Sequence, residues 1–264
     1  MQLTLQPHKK LYFASDFHLG SPNAASSLER ERRIIAWLSA IEADAQAIFL
    51  VGDLFDFWFE YKQVVPKGFV RLLGKIAELT DKGIDVYFFT GNHDLWMRDY
   101  FIHELSVQVF HEPIELSVSA SEMLTQWYIG HGDGLGPGDY GYKFLKKIFT
   151  NPVCKWLFRV LHPDVGIGLA TLWSRQSRAA NSKKNEEHFL GEDREFLFQY
   201  CLDVEKKAHH DYYIFGHRHL PLDLQVGPNS RYLNLGEWFS QYTYAVFDGR
   251  QVSLKKYTST NEPI

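Results

Sequence analysis

The sequence predicts a layered α/β fold, and three observations carry that prediction. Over the first 90 residues, short apolar runs rich in strand-forming side chains alternate with stretches of helical apolar spacing. Further strand-like runs with short connections follow. Five of the runs end in a compact motif of Gly, Asp, Asn and His.

Taken in order, 11–14, 48–51 and 86–89 read as buried strands. Between them, 27–41 places Leu28, Ile35 and Leu38 on one helical side. Likewise, 67–82 places Phe69, Leu72, Leu73, Ile76 and Leu79 together. The resulting β-α-β-α-β order predicts a sheet with helices packed on it. Beyond residue 100, the stretches 106–110, 113–119 and 124–129 read as strands and 192–207 as a helix. Strands are then expected at 212–215, 222–226, 231–235, 242–247 and 252–257. Helices on two sheets, in one domain spanning 1–264, is the expected architecture.

Composition agrees with a globular chain. Of 264 residues, 45% are hydrophobic and 23% charged, enough apolar material for a sizeable core. Cys154 and Cys201 form no C-x-x-C pair, so neither a zinc ribbon nor a redox motif is offered. The start of the chain has no signal-peptide pattern, and no run of about 18 apolar residues occurs. A cytoplasmic location is expected, with a peripheral position on the inner face of the inner membrane as its extension.

Charge is unevenly spread. The segment 141–184 holds nine Lys/Arg against the single acid Asp164, a net of +8, which leaves −12 for the rest of a chain whose net charge is −4. Two helices are expected within it. One covers 142–150, with Leu145, Ile148 and Phe149 on one side. The other is capped by Asn151 and opened by Pro152, with Val153, Trp156, Leu157 and Val160 on one side. A basic amphipathic insertion suits an anionic membrane surface. The blander reading is a hairpin packed on the core with solvated cations outside. Its aromatic residues sit at helical spacing among aliphatic ones rather than on a sheet platform, which speaks against a nucleic-acid partner. No obligate protein partner is evident.

The chemistry resides in five motifs: DFH at 16–18, GDLFD at 52–56, GNHD at 91–94, GHGD at 130–133 and GHRH at 216–219. Each follows an expected strand, and carboxyl ends of strands in α/β sheets share one crevice. Imidazole with carboxylate suits Mn, Fe, Zn or Co better than Ca. On an extended strand, Asp16 and His18 would point the same way, as would His217 and His219. A glycine before the ligands would allow close approach. Any one motif alone is weak, since GNHD is also an ordinary turn. Five in sequence predict a dinuclear metal site.

The order D-x-H, G-D-x-x-[DE], G-N-H-[DE], G-H and G-H-x-H resembles the calcineurin-like metallophosphoesterases, over most of the chain. That resemblance implies a four-layer α-β-β-α sandwich with a basic helical lid inserted at 141–184. It implies one metal held by Asp16, His18, Asp53 and His219, and another by Asp53, Asn92, His131 and His217. His93 would stabilise phosphoryl oxygens or protonate the leaving group, with Asp94 orienting it. Two divalent ions are expected, with Mn²⁺ first and Fe or Zn also fitting.

Within that superfamily, SDFHLG, GDLFDFW, HGDGL, NPVCKWLF and LGEWF resemble the UDP-2,3-diacylglucosamine hydrolases of lipid A biosynthesis. The resemblance implies hydrolysis of a diphosphate in a lipid-linked nucleotide. Substrate contacts would come from Asn92, Asp139, Ser177, Asn181, Lys184 and His217. Phe144, Leu145, Ile148, Phe149, Trp156, Leu157 and Val160 would form an acyl slot. Many enzymes of that group carry Arg where this chain has His93. The alternatives are a metallophosphoesterase acting on another phosphodiester, nucleotide or phosphomonoester, and a non-catalytic binding module. The latter should have lost ligands, whereas all seven positions hold competent residue types.

Overall fold

The computed structural model describes residues 1–138, 140–182 and 188–258, leaving aside the side chains of 173 and 175–182. The chain opens with β1 (Gln2–Thr4), β2 (Lys10–Ala14), α1 (Ala24–Ile41), β3 (Ala45–Val51), α2 (Val70–Asp81), β4 (Asp85–Phe89), α3 (Tyr100–Leu105) and β5 (Gln108–Phe110). Next come β6 (Ile114–Ala120), β7 (Met123–Gly130), α4 (Tyr140–Thr150), α5 (Pro152–Val160) and α6 (Pro163–Ser182). The chain closes with α7 (Phe196–Glu205), β8 (Tyr212–Phe215), β9 (Pro221–Gly227), β10 (Ser230–Leu235), β11 (Thr243–Phe247) and β12 (Val252–Lys256).

Two six-stranded sheets result, in the orders β12-β11-β2-β3-β4-β5 and β1-β6-β7-β8-β10-β9. Strands β2 to β5 run parallel, as do β7, β8 and β10. Side-chain alternation then makes the layers. Leu11, Phe13, Ala47, Phe49 and Phe89 face the second sheet and meet Leu116, Trp127, Ile129 and Ile214. Their neighbours Tyr12, Ile48, Leu50, Val86 and Phe88 face outward, onto Ile34, Trp37 and Leu38 of α1 and Leu72, Ile76 and Leu79 of α2. On the far side, Leu197, Phe198 and Cys201 of α7 cover Tyr213, Phe215 and Tyr232. The layers are therefore α-β-β-α.

Local chemistry sets the element ends. Asn23 caps α1 by accepting from Ser26 N, so that helix starts before the expected position 27. Phe69 sits at φ 57°, which delays α2 to residue 70, and Glu31 of α1 caps it by accepting from Arg71 N and Leu72 N. Ser106 at φ 53° closes α3, a helix the sequence pattern did not reveal, and the strand expected from 106 begins at 108. The helix expected at 192–207 breaks at Glu195, whose buried carboxylate accepts from Arg218. Asn151 and Pro152 open α5 as their chemistry suggests, with Asn151 accepting from Val153 N and Cys154 N. A third helix, α6, follows in the basic segment, where two were expected.

Candidate metal centre

The five motifs lie just past the carboxyl ends of β2, β3, β4, β7 and β8, where two bonds each tie neighbouring loops of one sheet and a third crosses between the sheets. His18 N donates to the Asp53 carbonyl (2.9 Å), Gly216 N to the His131 carbonyl (3.0 Å) and His217 N to Asp16 Oδ2 (3.0 Å). The backbone departs from the extended geometry expected of D-x-H and H-x-H. Asp16, His18, Asp53, His217 and His219 all have positive φ, from 43° to 70°. Strand alternation therefore does not align these pairs; successive left-handed turns do, at roughly 1–3 kcal/mol of strain each. Strain of this kind concentrates at functional sites and has to be held by the surroundings. Close approach explains two glycines. A Cβ on Gly91 would collide with the Asp53 carboxylate, and one on Gly52 with the His131 ring.

Three groups with metal-ligating atoms emerge among the described residues; one joins His18 to Asp56 and His93, and the other two fall within the expected ligand sets. In one of these two, ligand atoms of Asp16, His18 and His219 lie within 4.8 Å of one another; in the other, those of Asp53, His131 and His217 do. Asp53 Oδ2 spans them, 3.7 Å from His18 Nε2 and 3.4 Å from His131 Nε2. Asp16 Oδ1 lies 3.1 Å from His219 Nε2. The Nε2 atoms of His18 and His219 face each other at 3.1 Å. The amide oxygen of Asn92, in the loop after β4, is buried without a hydrogen-bond partner.

The donors fit divalent cations. Asp16 Oδ1 and His131 Nε2, like Asn92 Oδ1, are buried and lack a hydrogen-bond partner; a cation satisfies such atoms. His131 Nδ1 donates to the Val51 carbonyl (2.8 Å), which leaves Nε2 to act as a ligand. Burial holds His18 neutral down to about 3, and burial with His131 nearby holds His217 neutral down to about 4. Metal ligation needs that uncharged state. Burial opposes charge on His131 too, yet Asp53 and Asp16 outweigh it and raise the ring to about 10. The cluster thus attracts positive charge. Neither Cys154 nor Cys201 belongs to it.

The hydrogen bonds of Asp94 run to backbone amides. Its carboxylate accepts from Gly91 N (2.7 Å) and Leu54 N (2.8 Å), so it pins the loop carrying Asp53 to the loop carrying Asn92. Burial, with Asp53 close by, pushes its carboxyl up to about 7. His93 is held elsewhere. Its Nδ1 lies 2.9 Å from the Asp56 carbonyl and 3.3 Å from Ser174 Oγ on α6. Asp56, the unassigned last residue of GDLFD, places Oδ1 4.0 Å from Nδ1 of both His18 and His93. Phe239 stacks on His18, with centroids 5.4 Å apart, and the Arg30 guanidinium lies 4.1 Å from the Phe239 ring centroid while donating to the His18 carbonyl. The terminal Asp shared by GDLFD and GHGD was the available signal for Asp56 and Asp133. Phe239 closes the LGEWF stretch, where it drew no role of its own, and nothing in the sequence marked Ser174.

Helices α4 to α6 dock on the same loops. Tyr142 donates to Asp133 Oδ2 (2.6 Å), and Lys146 pairs with that oxygen at 2.8 Å. Trp96 Nε1 donates to the Phe149 carbonyl (2.9 Å), and Phe158 packs on Phe59 with centroids 4.7 Å apart. Beneath them runs an apolar groove of about 450 Å³, walled by Trp96, Leu145, Ile148, Phe149, Phe158 and Leu169. The slot expected from sequence is corrected in part. Phe144, Trp156, Leu157 and Val160 do not line the groove; they are 55–67% exposed on the outer surface. Asp139 and Lys184 lie outside the described residues, and the side chains of Ser177 and Asn181 on α6 do as well.

Residues 9–221 match the model of the calcineurin-like phosphoesterase family. The chain belongs to that family. A UDP-2,3-diacylglucosamine hydrolase of Porphyromonas gingivalis is 39% identical over 263 residues, covering 93% of this chain and 97% of that protein. One of the same name from Shewanella baltica is 26% identical over 251 residues, covering 92% and 95%. Among solved structures, an inner-membrane-complex anchor of Plasmodium aligns over 96% of this chain and 86% of its own at 11% identity and a TM-score of 0.48. A likeness that slight carries no argument. This phosphoesterase is a hydrolase whose clustered His and Asp side chains suit divalent metals. Among the described residues, no helix is long and apolar enough to cross a membrane.

Proposed function

We propose that this phosphoesterase hydrolyses the diphosphate of UDP-2,3-diacylglucosamine, releasing UMP and 2,3-diacylglucosamine 1-phosphate. The observation that carries the reading is the apolar groove under α4 to α6, whose wall includes Trp96, three residues past His93, while α6 reaches His93 through Ser174. A nucleotide or phosphoprotein has no use for such a groove, whereas acyl chains do. The names of the two hydrolases above support the same substrate.

Asp16, His18, Asp53 and His219 would hold one divalent ion, and Asp53, Asn92, His131 and His217 the other, with Mn²⁺ favoured. Such ions supply an acidified water and neutralise growing phosphoryl charge. The chain's own groups do the rest. Asp94 fixes the two ligand loops relative to each other. His93 Nδ1 donates to the Asp56 carbonyl, with Ser174 also in reach, so Nε2 would donate to a phosphoryl or leaving-group oxygen in the imidazolium form of the ring. Residues 141–184 act as an inserted lid within the single domain 1–264. Asp139, just before the lid, and Ser177, Asn181 and Lys184 within it would contact the polar part of the substrate, with Asn92 and His217 meeting it at the cluster.

The outward apolar residues Trp156, Leu157 and Val160 and the surrounding cations support a peripheral position on an anionic membrane surface, on its cytoplasmic side. The test is direct. Purified protein with Mn²⁺ should release UMP from the lipid substrate and act poorly on soluble nucleotides. Turnover of a soluble phosphoester without UMP release from the lipid would overturn the substrate assignment.

A further inference from the structure

The LGEWF stretch leads from β10 into a loop that meets one half of the metal cluster. Trp238 N donates to the Asp16 carbonyl (3.2 Å) and Gln241 Nε2 to the His219 carbonyl (3.1 Å). Arg30, reaching over from α1, donates to the His18 carbonyl (3.0 Å). Asp16, His18 and His219 hold φ of 57°, 43° and 55°, so each strained turn has its carbonyl tied by the loop or by the arginine behind it. The loop is braced in turn by buried Glu237, which accepts from Ser240 N (3.0 Å), Ser240 Oγ (2.8 Å) and Gln241 N (2.9 Å). Among the described residues, no hydrogen bond or ring contact joins the loop to Asp53, Asn92, His131 or His217. A metal-ligating histidine ordinarily fixes its ring by donating from its other nitrogen. His131 does so to Val51. His18 does not: its Nδ1 is buried without a hydrogen-bond partner, and Asp56 Oδ1 stands 4.0 Å away. Ring packing has to hold His18 instead. Phe239 lies nearly flat on it at 25°, whereas His93 and His219 meet it at 86° and 69°.

We propose that the 237–241 loop, backed by Arg30, sets the cation affinity of the Asp16, His18 and His219 group separately from that of the Asn92, His131 and His217 group, with Phe239 as the positioning residue for the His18 ring. The proposal rests on the two-cation reading given above and on nothing about the substrate. It makes the cluster asymmetric. Disturbing the loop should empty one cation site and spare the other, because the loop's contacts end at three residues of one group.

Isothermal titration of the metal-free full chain with Mn²⁺ tests it without any activity assay. The native chain should bind two ions. Phe239→Leu, which keeps the apolar bulk but loses the flat ring face, should weaken one of them about ten- to hundredfold, the scale for removing the support of a metal-ligating histidine. The other should change by less than about twofold. Phe239→Tyr, which keeps the stack, should hold both within about threefold of native. Gln241→Ala, a half-buried loop change, should weaken the same site by about fivefold, the scale of one hydrogen bond. Combined with His131→Ala, which cripples the opposite site, Phe239→Leu should leave no tight site. Electron paramagnetic resonance gives a second readout: Mn²⁺ should show a coupled pair in the native chain and in Phe239→Tyr, and isolated ions in Phe239→Leu. Two ions bound by Phe239→Leu as tightly as by the native chain would overturn the proposal. Equal weakening of both sites would overturn it too, as would a Phe239→Tyr defect as large as that of Phe239→Leu. Fewer than two ions on the native chain would overturn the two-cation reading and this proposal with it.

Discussion

Lys146 Nζ lies 2.8 Å from Asp133 Oδ2, so a helix of the basic segment is ion-paired to the loop that presents His131. Asp133 is buried, and although burial opposes its charge, His131 and Lys146 hold its carboxyl below the ordinary range. Cutting this tie should loosen α4 without removing a metal-site residue. Lys146→Met is expected to raise KM for the acylated substrate about five- to tenfold, on the scale of about 1 kcal/mol for a part-exposed pair. Turnover of a small phosphodiester should stay within about twofold. Parallel kinetics on both substrates check this, and an equal loss on both would show that the pair serves the catalytic loops generally.

His93 packs edge-on against His18, with centroids 4.9 Å apart, and contacts both Asp56 and Ser174. His93→Ala should lower kcat by about a hundredfold, the lower end for a proton-transfer group. Metal stoichiometry should hold. Ser174→Ala should lower kcat less, and Ser174→Thr should restore part of it by returning a hydroxyl. Metal analysis alongside kinetics separates the roles. Loss of metal from the His93 variant would make His93 a ligand instead.

The groove separates two aromatic residues that the sequence had grouped. Phe149 lines it, whereas Trp156 is 61% exposed. Phe149→Ser should weaken use of the acylated substrate in detergent, while Trp156→Ser should leave that rate unchanged and reduce sedimentation with anionic vesicles. The reverse pattern would exchange their roles.

On the far face, Glu205 accepts from Ser230 (2.6 Å), Tyr213 (2.6 Å) and His209 (2.7 Å). Burial alone would raise its carboxyl, but these bonds prevail and lower it to about 2. A depressed carboxyl stabilises the fold above its ordinary value of 4.5, and that contribution fades as pH falls toward about 2. Glu205→Gln should therefore lower Tm at pH 7, with the deficit shrinking below pH 4.5. Melting curves from pH 7 downward check this; a deficit that does not vary with pH would make the cost one of packing.

Much of this was legible in the sequence because metal-binding motifs are short and local. Asp16, His18, Asp53, His131, His217 and His219 announce themselves by residue type and spacing, and the strands that carry them by apolar alternation. What aligns them was not legible. Positive φ at five of these residues comes from contacts between loops of different strands, which one-dimensional periodicity does not contain. The partners of Asp94 are not legible for the same reason: its neighbour in sequence is His93, but it accepts from Gly91 and Leu54. Helix α6 escaped notice because Gly166 and Gly168 dilute its apolar pattern, each costing about 1 kcal/mol of helix propensity. The helical spacing in 152–160 was plain, but which side of α5 meets the groove depends on Trp96 and Phe59, which come from elsewhere in the chain.

The most direct test of the central claim is an anomalous-difference map from crystals of the protein soaked in Mn²⁺. Two peaks should appear, one among Asp16, His18 and His219 and one among Asn92, His131 and His217, with Asp53 touching both. A map with no peak there, or with a single peak that Asp53 does not touch, would contradict the dinuclear site.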